Sequence, residues 1–284
     1  MSRIFRLLGC IRFGEVLLLQ GAPVIGLILA PGMPSTIPWA TYILFLSASF
    51  FLVAHMWMLN DWADAELDAL DRNKSSRSFV HKGLKPSMIG GLSLTLLLVS
   101  LGLFSLFTLR TFGIALGITA LGGLYSVPGI RAKGVVVLSS VIHLSGGALH
   151  FLLGYTLFAP PDHSALPLAI FFAVIFTAGH CVQEVQDQEA DRLAGVRTNS
   201  VVFGKRPMFC IAVLLFMISY LDLIYLATNG LVLIRFELFI IPLFLLHISY
   251  AYQAIQLGLT YNDVGRFRRQ YRIIMACTGI LICL

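Results

Sequence analysis

The sequence predicts an all-α integral membrane protein: one domain over residues 1–284, built as a polytopic bundle of about nine spans. Three observations predict it. Hydrophobic residues make up 58% of the chain and charged residues 12%, about half the ~25% charged content of soluble domains. Charge-free stretches recur at 16–60, 86–109, 111–130, 134–161, 163–183 and 238–262, and ~20 apolar residues suffice to cross the hydrocarbon core as a helix. Basic residues collect in alternate connections. This composition excludes disorder, which needs low hydrophobicity and high charge, and leaves too little polar surface for a soluble domain.

Taken in order, the spans fall at about 11–30, 37–59, 88–109, 112–130, 135–159, 166–183, 207–227, 231–258 and 271–284. The first charge-free stretch is long enough for two spans, and Pro31-Gly32-Met33-Pro34 divides it. The last span is the shortest. With the N-terminus inside, the inner segments carry Arg3, Arg6 and Arg12; Arg72, Lys74, Arg77, Lys82 and Lys85; Arg131 and Lys133; Arg192, Arg197, Lys205 and Arg206; and Arg266, Arg268, Arg269 and Arg272. Only Arg110 and Arg235 of the 20 basic residues fall elsewhere, as the positive-inside rule requires. The expected location is a multi-pass membrane protein with a cytoplasmic N-terminus. The same loops account for the net charge of +6 without a nucleic-acid partner. Three residues between Arg6 and Cys10 are too few for the ~7–15 apolar residues of a cleaved signal. Five cysteines without a CxxC pair support neither a disulfide framework nor a zinc site.

Nine of the 14 acids sit in two short windows. Asn60-Asp61-x-x-Asp64-x-x-x-Asp68 is repeated in spacing as Gln183-Glu184-x-x-Asp187-x-x-x-Asp191, offset by 123 residues. Each window closes an even-numbered span. The offset suggests a four-span pseudo-repeat, with halves about 1–134 and 135–284 in parallel orientation. Positions i, i+3 and i+7 share a helix face, so each window projects three carboxylates along one stripe. Their mutual repulsion must be offset by basic loop residues or by divalent cations. Mg²⁺ takes one or two carboxylates together with substrate phosphate oxygens. Two such stripes ringed by Arg and Lys would cradle a Mg²⁺-bound diphosphate and stabilise it as a leaving group.

At these residues the chain resembles the UbiA superfamily of intramembrane prenyltransferases. Asn60-Asp61-Trp62-Ala63-Asp64-Ala65-Glu66-Leu67-Asp68 matches its NDxxDxxxD signature. Asp187-Gln188-Glu189-Ala190-Asp191, followed by Gly195 and Thr198, matches its DxxxD signature. Tyr125-Ser126-Val127-Pro128-Gly129-Ile130-Arg131-Ala132-Lys133 matches a third stretch. Two positions depart from the pattern. Arg77 is followed by Ser78 rather than Pro, and Gln183-Glu184 stands where Asn-Asp is common. Neither departure removes an oxygen able to bind a metal.

The resemblance implies a nine-helix bundle whose central cavity opens to the cytoplasmic side. It implies Mg²⁺ as cofactor, a prenyl diphosphate as donor and a small-molecule acceptor, often aromatic. By position, Asp61, Asp64, Asp68, Asp187 and Asp191 would bind the metal, with Asn60 and Glu184 assisting, and Asp64, Asp68, Asp187 and Asp191 would be the catalytic set. Arg72, Arg77, Lys133 and Arg192 would clamp the diphosphate, whereas Arg197 and Lys205 read as topology charges.

An allylic cation must be kept from water, and aromatic faces stabilise it. Tyr125 is the aromatic assigned to the prenyl tail or cation. His55, His143, His150 and His180 read as hydrogen-bonded core residues. Glu15 reads as a helix-end partner of Arg12, and Asp222 and Glu237 as interfacial acids near the outer face. A terpene cyclase that ionises the same donor without a second substrate is the nearest alternative. A cation transporter is the more distant one, since transport sites lie near the midplane and these acids close the spans.

Overall fold

The computed structural model describes residues 3–32, 38–65, 79, 81–232 and 237–283, and within them the only regular secondary structure is helical. In chain order the helices are α1 (Arg3–Leu8), α2 (Phe13–Leu19), α3 (Gly21–Leu29), α4 (Trp39–Ala63), α5 (Pro86–Phe104), α6 (Leu109–Ser126), α7 (Leu138–Tyr155), α8 (Ala165–Leu193), α9 (Asn199–Phe203), α10 (Lys205–Thr228), α11 (Glu237–Gln256) and α12 (Tyr261–Ile282). Each predicted stretch contains helix. Five segments are long and apolar enough to cross a membrane: Trp39–Ala63, Pro86–Phe104, Ala165–Leu193, Lys205–Thr228 and Leu238–Gln256. Phe13–Leu29 is a shorter apolar helix.

Local chemistry sets the ends. α3 stops where Ala30 turns extended (φ −67, ψ 131), the conformation a following proline imposes. α5 begins with Pro86, whose missing N–H costs nothing in the first turn. The Thr108 hydroxyl accepts from the Thr111 N–H to cap α6.

The last helix departs from the expected span. Residues 261–270 are not a loop but the first turns of α12, which opens on a capping box between Thr260 and Asp263. Val264, Phe267, Tyr271, Ile274, Thr278 and Ile282 are buried at helical spacing, so the basic residues among them belong to an amphipathic helix. A hydropathy run cannot register such a helix because its charges interrupt the run.

The middle of the bundle is α7, pressed backbone to backbone against its neighbours. A Cβ on Gly154 would fall 1.8 Å from the Pro23 carbonyl oxygen of α3, and one on Gly26 would fall 2.1 Å from that of Phe151. Small residues permit this approach where no hydrophobic force draws helices together in lipid. Polar ties add to it. The Ser100 hydroxyl donates to the Ala48 carbonyl (2.8 Å), joining α5 to α4, and His55 Nδ1 meets Ser93 at 2.9 Å. His55 is therefore the hydrogen-bonded core residue expected.

Candidate active site

Between α2, α3, α4, α6, α7, α8 and α12 lies a cavity of about 760 Å³. Its wall is apolar along Ile25, Ile28, Phe171, Phe172 and Phe176, and polar at the end where Asn60, Asp64, Lys133, Asp187, Asp191 and Arg268 meet. The two acidic windows, 123 residues apart in sequence, thus close one end of one chamber.

Asp64 is the C-cap of α4 rather than a residue inside it. Its Oδ1 accepts from Arg131 Nη2 (2.5 Å) and its Oδ2 from Lys133 Nζ (2.7 Å). The chain reaches this position through a tight connection after Pro128. Gly129 has φ +96, Arg131 is left-handed at φ +40, and Lys133 sits on the short 3-10 turn Ala132–Gly134. A non-glycine residue at positive φ is uncommon, and here it aims the guanidinium at Asp64. Lys133 Nζ also lies 3.6 Å from Asp191 Oδ1, so one ammonium joins the two windows. Burial alone would raise the Asp64 carboxyl. Lys133 and then Arg131 outweigh it and hold the carboxyl below the ordinary carboxylate range. Burial would likewise lower Lys133, but Asp64 and Asp191 push it up. Both stay charged at neutral pH.

Asp61 stands outside the cavity lining and pairs with Arg12 (Nη2–Oδ1, 2.5 Å), whose guanidinium lies 4.9 Å above the Trp57 ring. The expected Arg12–Glu15 pair is therefore replaced. Glu15 makes a two-point contact with Arg272 instead (2.9 and 2.5 Å), with Arg268 at 3.5 Å. The reason is the early start of α12, which brings Arg268 and Arg272 to the cavity wall.

Glu184 has a different fate from its counterpart Asp61. It is 5% exposed. Its Oε1 accepts from Ser139 Oγ and Asn199 Nδ2 (3.1 Å each) and lies 3.0 Å from His180 Nε2. Its Oε2 accepts from the Ser200 N–H at 3.2 Å. Asn199 Oδ1 in turn accepts from the N–H of Val137 (2.7 Å), a β-branched residue at φ +68. The carboxylate is thus committed to tying α8, α9 and the start of α7 together.

Of the expected phosphate clamps, Lys133 lines the cavity. Arg192 is exposed and outside the lining, because it follows the inward-facing Asp191 by about 100° of helix rotation. Asp68, Arg72 and Arg77 lie outside the described residues. Asn60 lines the cavity, and its Oδ1 accepts from Ser126 Oγ at 3.5 Å. Tyr125 lines it beside His143 and His180. The sequence places Arg131, Arg268 and Arg272 among the inner-segment charges without assigning them to the site, and Ser139 and Asn199 carry no signal of their own. Arg131 was findable as the second cation of its motif. The others become site residues only through tertiary contact.

Among the described residues, no three His, Cys, Asp or Glu side chains stand close enough to hold a metal ion by themselves. The donor set nevertheless fits Mg²⁺: hard oxygens from two helices at one cavity end, short of a full cage. Mg²⁺ completes its shell with water and phosphate oxygens.

Residues 22–265 match the UbiA prenyltransferase family, and the chain belongs to that family. Among solved structures it is similar to a UbiA homologue from Archaeoglobus fulgidus bound to GPP and Mg²⁺, with a TM-score of 0.72 at 19% identity, covering 98% of this chain and 100% of that one. A digeranylgeranylglyceryl phosphate synthase gives a TM-score of 0.72 at 18% identity, covering 100% of this chain and 98% of that one. The apo UbiA homologue from Aeropyrum pernix K1 gives 0.68 at 17% identity, covering 95% and 97%. No curated protein sequence matches the chain.

Proposed function

We propose that the protein transfers a prenyl group from an allylic prenyl diphosphate to an acceptor, of aromatic class, inside the membrane and with Mg²⁺. The observation that carries this reading is the Lys133 bridge between Asp64 and Asp191 at the polar end of an otherwise apolar chamber. The Archaeoglobus fulgidus homologue solved with GPP or DMAPP and Mg²⁺ supports it. Asp64, Asp187 and Asp191 would hold the metal directly or through water, with Asn60 and Asp61 beside them and Asp68 assigned from the signature alone. Glu184 is reassigned to positioning because its oxygens are engaged by protein donors. When bound, Mg²⁺ supplies positive charge that neutralises the diphosphate as it departs. Lys133 and Arg131 release part of their hold on Asp64 to grip the outer phosphate oxygens. Tyr125 and the apolar wall shield the allylic cation from water.

The bundle crosses the membrane nine times in this reading, with the N-terminus and both acidic windows at the cytoplasmic face, and its halves descend from one four-span unit. Cysteines placed at the exposed positions Ile130 and Leu193 in a cysteine-free background should label from the inner side only. Ser200, also in an inner connection, is unsuitable because it is fully buried and donates to the Glu184 carbonyl. The activity itself is tested by product mass spectrometry after incubation with allylic diphosphates of several chain lengths, with and without phenols. Prenylated phenol supports the transferase. Cyclic hydrocarbon without acceptor assigns a cyclase, and no diphosphate release with any donor overturns the reading.

A further inference from the structure

Two histidines on the cavity wall are not used by the chemistry above. The rings of His143, on α7, and His180, on α8, stack at 3.7 Å between centroids with an interplanar angle of 7°. Tyr125, on α6, stands edge-on to both, at 5.0 and 6.2 Å. All three line the cavity. His180 lies seven residues before Asp187 on one continuous helix, about 10 Å along its axis at ~1.5 Å per residue. Along α8 the pair thus lies between the acids and the apolar wall at Phe172 and Phe176, on the path that a prenyl chain anchored at Asp187 and Asp191 would follow.

The proton position on His143 follows from its partner. His143 Nδ1 lies 2.8 Å from the Ser139 carbonyl oxygen. A carbonyl can only accept, so Nδ1 carries the proton and Nε2 keeps its lone pair. His180 Nε2 lies 3.0 Å from Glu184 Oε1. Glu184 is fixed by Ser139, Asn199 and the Ser200 N–H. The arrangement is a fixed carboxylate, an oriented imidazole and a second imidazole stacked on it at the chamber wall. A proton arriving on His143 would meet the stacked ring of His180 and, behind it, the Glu184 carboxylate. Beyond His180 and the acids of α8, the titratable groups on elements packed against α7 that line the cavity here are Tyr125 of α6 and Lys133 of the 3-10 turn; α3 brings none.

We propose that His143 is the base that takes the proton released when the prenyl cation is captured, with His180 and Glu184 as positioning residues. The proposal rests on the prenyl-transfer reading. The donor C1–O bond breaks and its electron pair leaves on the diphosphate. The acceptor forms a bond to C1 and loses a C–H or O–H proton to His143 Nε2, with no net oxidation or reduction. If the cation closes on itself, the same nitrogen takes a proton from the carbon next to the cationic centre.

The test uses full-length protein in lipid nanodiscs with geranyl diphosphate, Mg²⁺ and a series of phenols. Two quantities are followed: released diphosphate, and the share of product that has lost a proton (prenylated phenol or hydrocarbon) rather than become geraniol. Geraniol needs no base, because water supplies and receives its own proton. In His143→Gln, diphosphate release should persist while proton-loss products fall at least about 100-fold, the lower range of general-base contributions. Geraniol should take their place. In His143→Ala, added imidazole should restore the lost products, which a merely structural role would not allow. His180→Gln should give a smaller loss of the same kind. An unchanged product ratio in His143→Gln overturns the proposal. So does a parallel fall in diphosphate release and in binding of a non-ionisable analogue, or geraniol as the sole wild-type product. Absence of diphosphate release in the wild type would instead sink the prenyl-transfer reading, and this proposal with it.

Discussion

The two acidic windows share their spacing and use it differently. In the first, α4 ends at Ala63 and its acids meet cations: Asp61 with Arg12, Asp64 with Arg131 and Lys133. In the second, α8 runs on to Leu193, and the acid matching Asp61 is held by hydroxyl, amide and backbone donors, with the His180 ring 3.0 Å away. Among the described residues the expected stripe of carboxylates on one helix face is kept in the second window, whereas in the first the helix ends before Asp64; Asp68 lies outside the described residues. Equal spacing fixes which residues can face a common point. It does not fix what neutralises them, which depends on the connections that arrive from elsewhere. The loop carrying Arg131 and Lys133 reaches the first window, and α9 with its Asn199 reaches the second.

The largest expected effect tests whether both windows serve one reaction. Asp64→Ala and Asp187→Ala should each lower prenyl transfer by at least about 100-fold, the scale of losing one charge-stabilising group, while both proteins remain in the membrane fraction. Near-normal turnover in either variant at saturating Mg²⁺ would mean that the windows are not partners.

A second comparison separates the two modes of neutralisation. Lys133→Met removes the bridge between the windows. It should cost about 1–3 kcal/mol of stability, the range for leaving a buried polar group short of a partner, and should also weaken binding of a prenyl diphosphate analogue. Glu184→Gln should cost a similar ~1–3 kcal/mol yet leave Mg²⁺-dependent analogue binding nearly unchanged. Thermal melts paired with analogue titrations check both. A Glu184→Gln protein that melts normally but loses metal dependence would restore Glu184 as a ligand.

Mg²⁺ and diphosphate should also strengthen each other's binding, because either alone meets an incompletely neutralised site. A non-ionisable prenyl diphosphate should bind at least about fivefold tighter with Mg²⁺ than with EDTA, the low end of usual couplings. Asp191→Asn should shrink the difference. Equal affinities would show that the acids do not meet the donor through metal.

The smallest effect is one of pH. The Asp64 carboxyl is held below its ordinary value in the folded chain, so the stability it contributes is complete above the ordinary carboxylate value. It is lost as pH falls through the depressed one. Melting temperature should drop on acidification below about pH 4, the unperturbed range for Asp, and Asp64→Asn should flatten that drop. An identical acid profile in the variant would remove Asp64 from the account.

Much was legible in the sequence because it depends on local chemistry. Hydropathy placed the apolar helices, since one turn after another must be apolar to lie in hydrocarbon. The paired windows pointed to Asp187 and Asp191 because side-chain facing along a helix follows from spacing; Asp64 lines the same cavity although α4 ends before it. Where charge and helix coincide, that legibility fails. The first turns of α12 carry five of the chain's charges between Asp263 and Arg272 and read as a loop, although their buried face is complete. Only the tertiary structure decided that Glu15 meets Arg272 rather than Arg12, that Lys133 spans both windows, and that His143 lies on His180. Each joins residues dozens to hundreds of positions apart. The close approach of α7 to α8 at Gly147, where a Cβ would fall 2.6 Å from the Phe172 carbonyl oxygen, helps set where His143 meets His180, and no local rule encodes that.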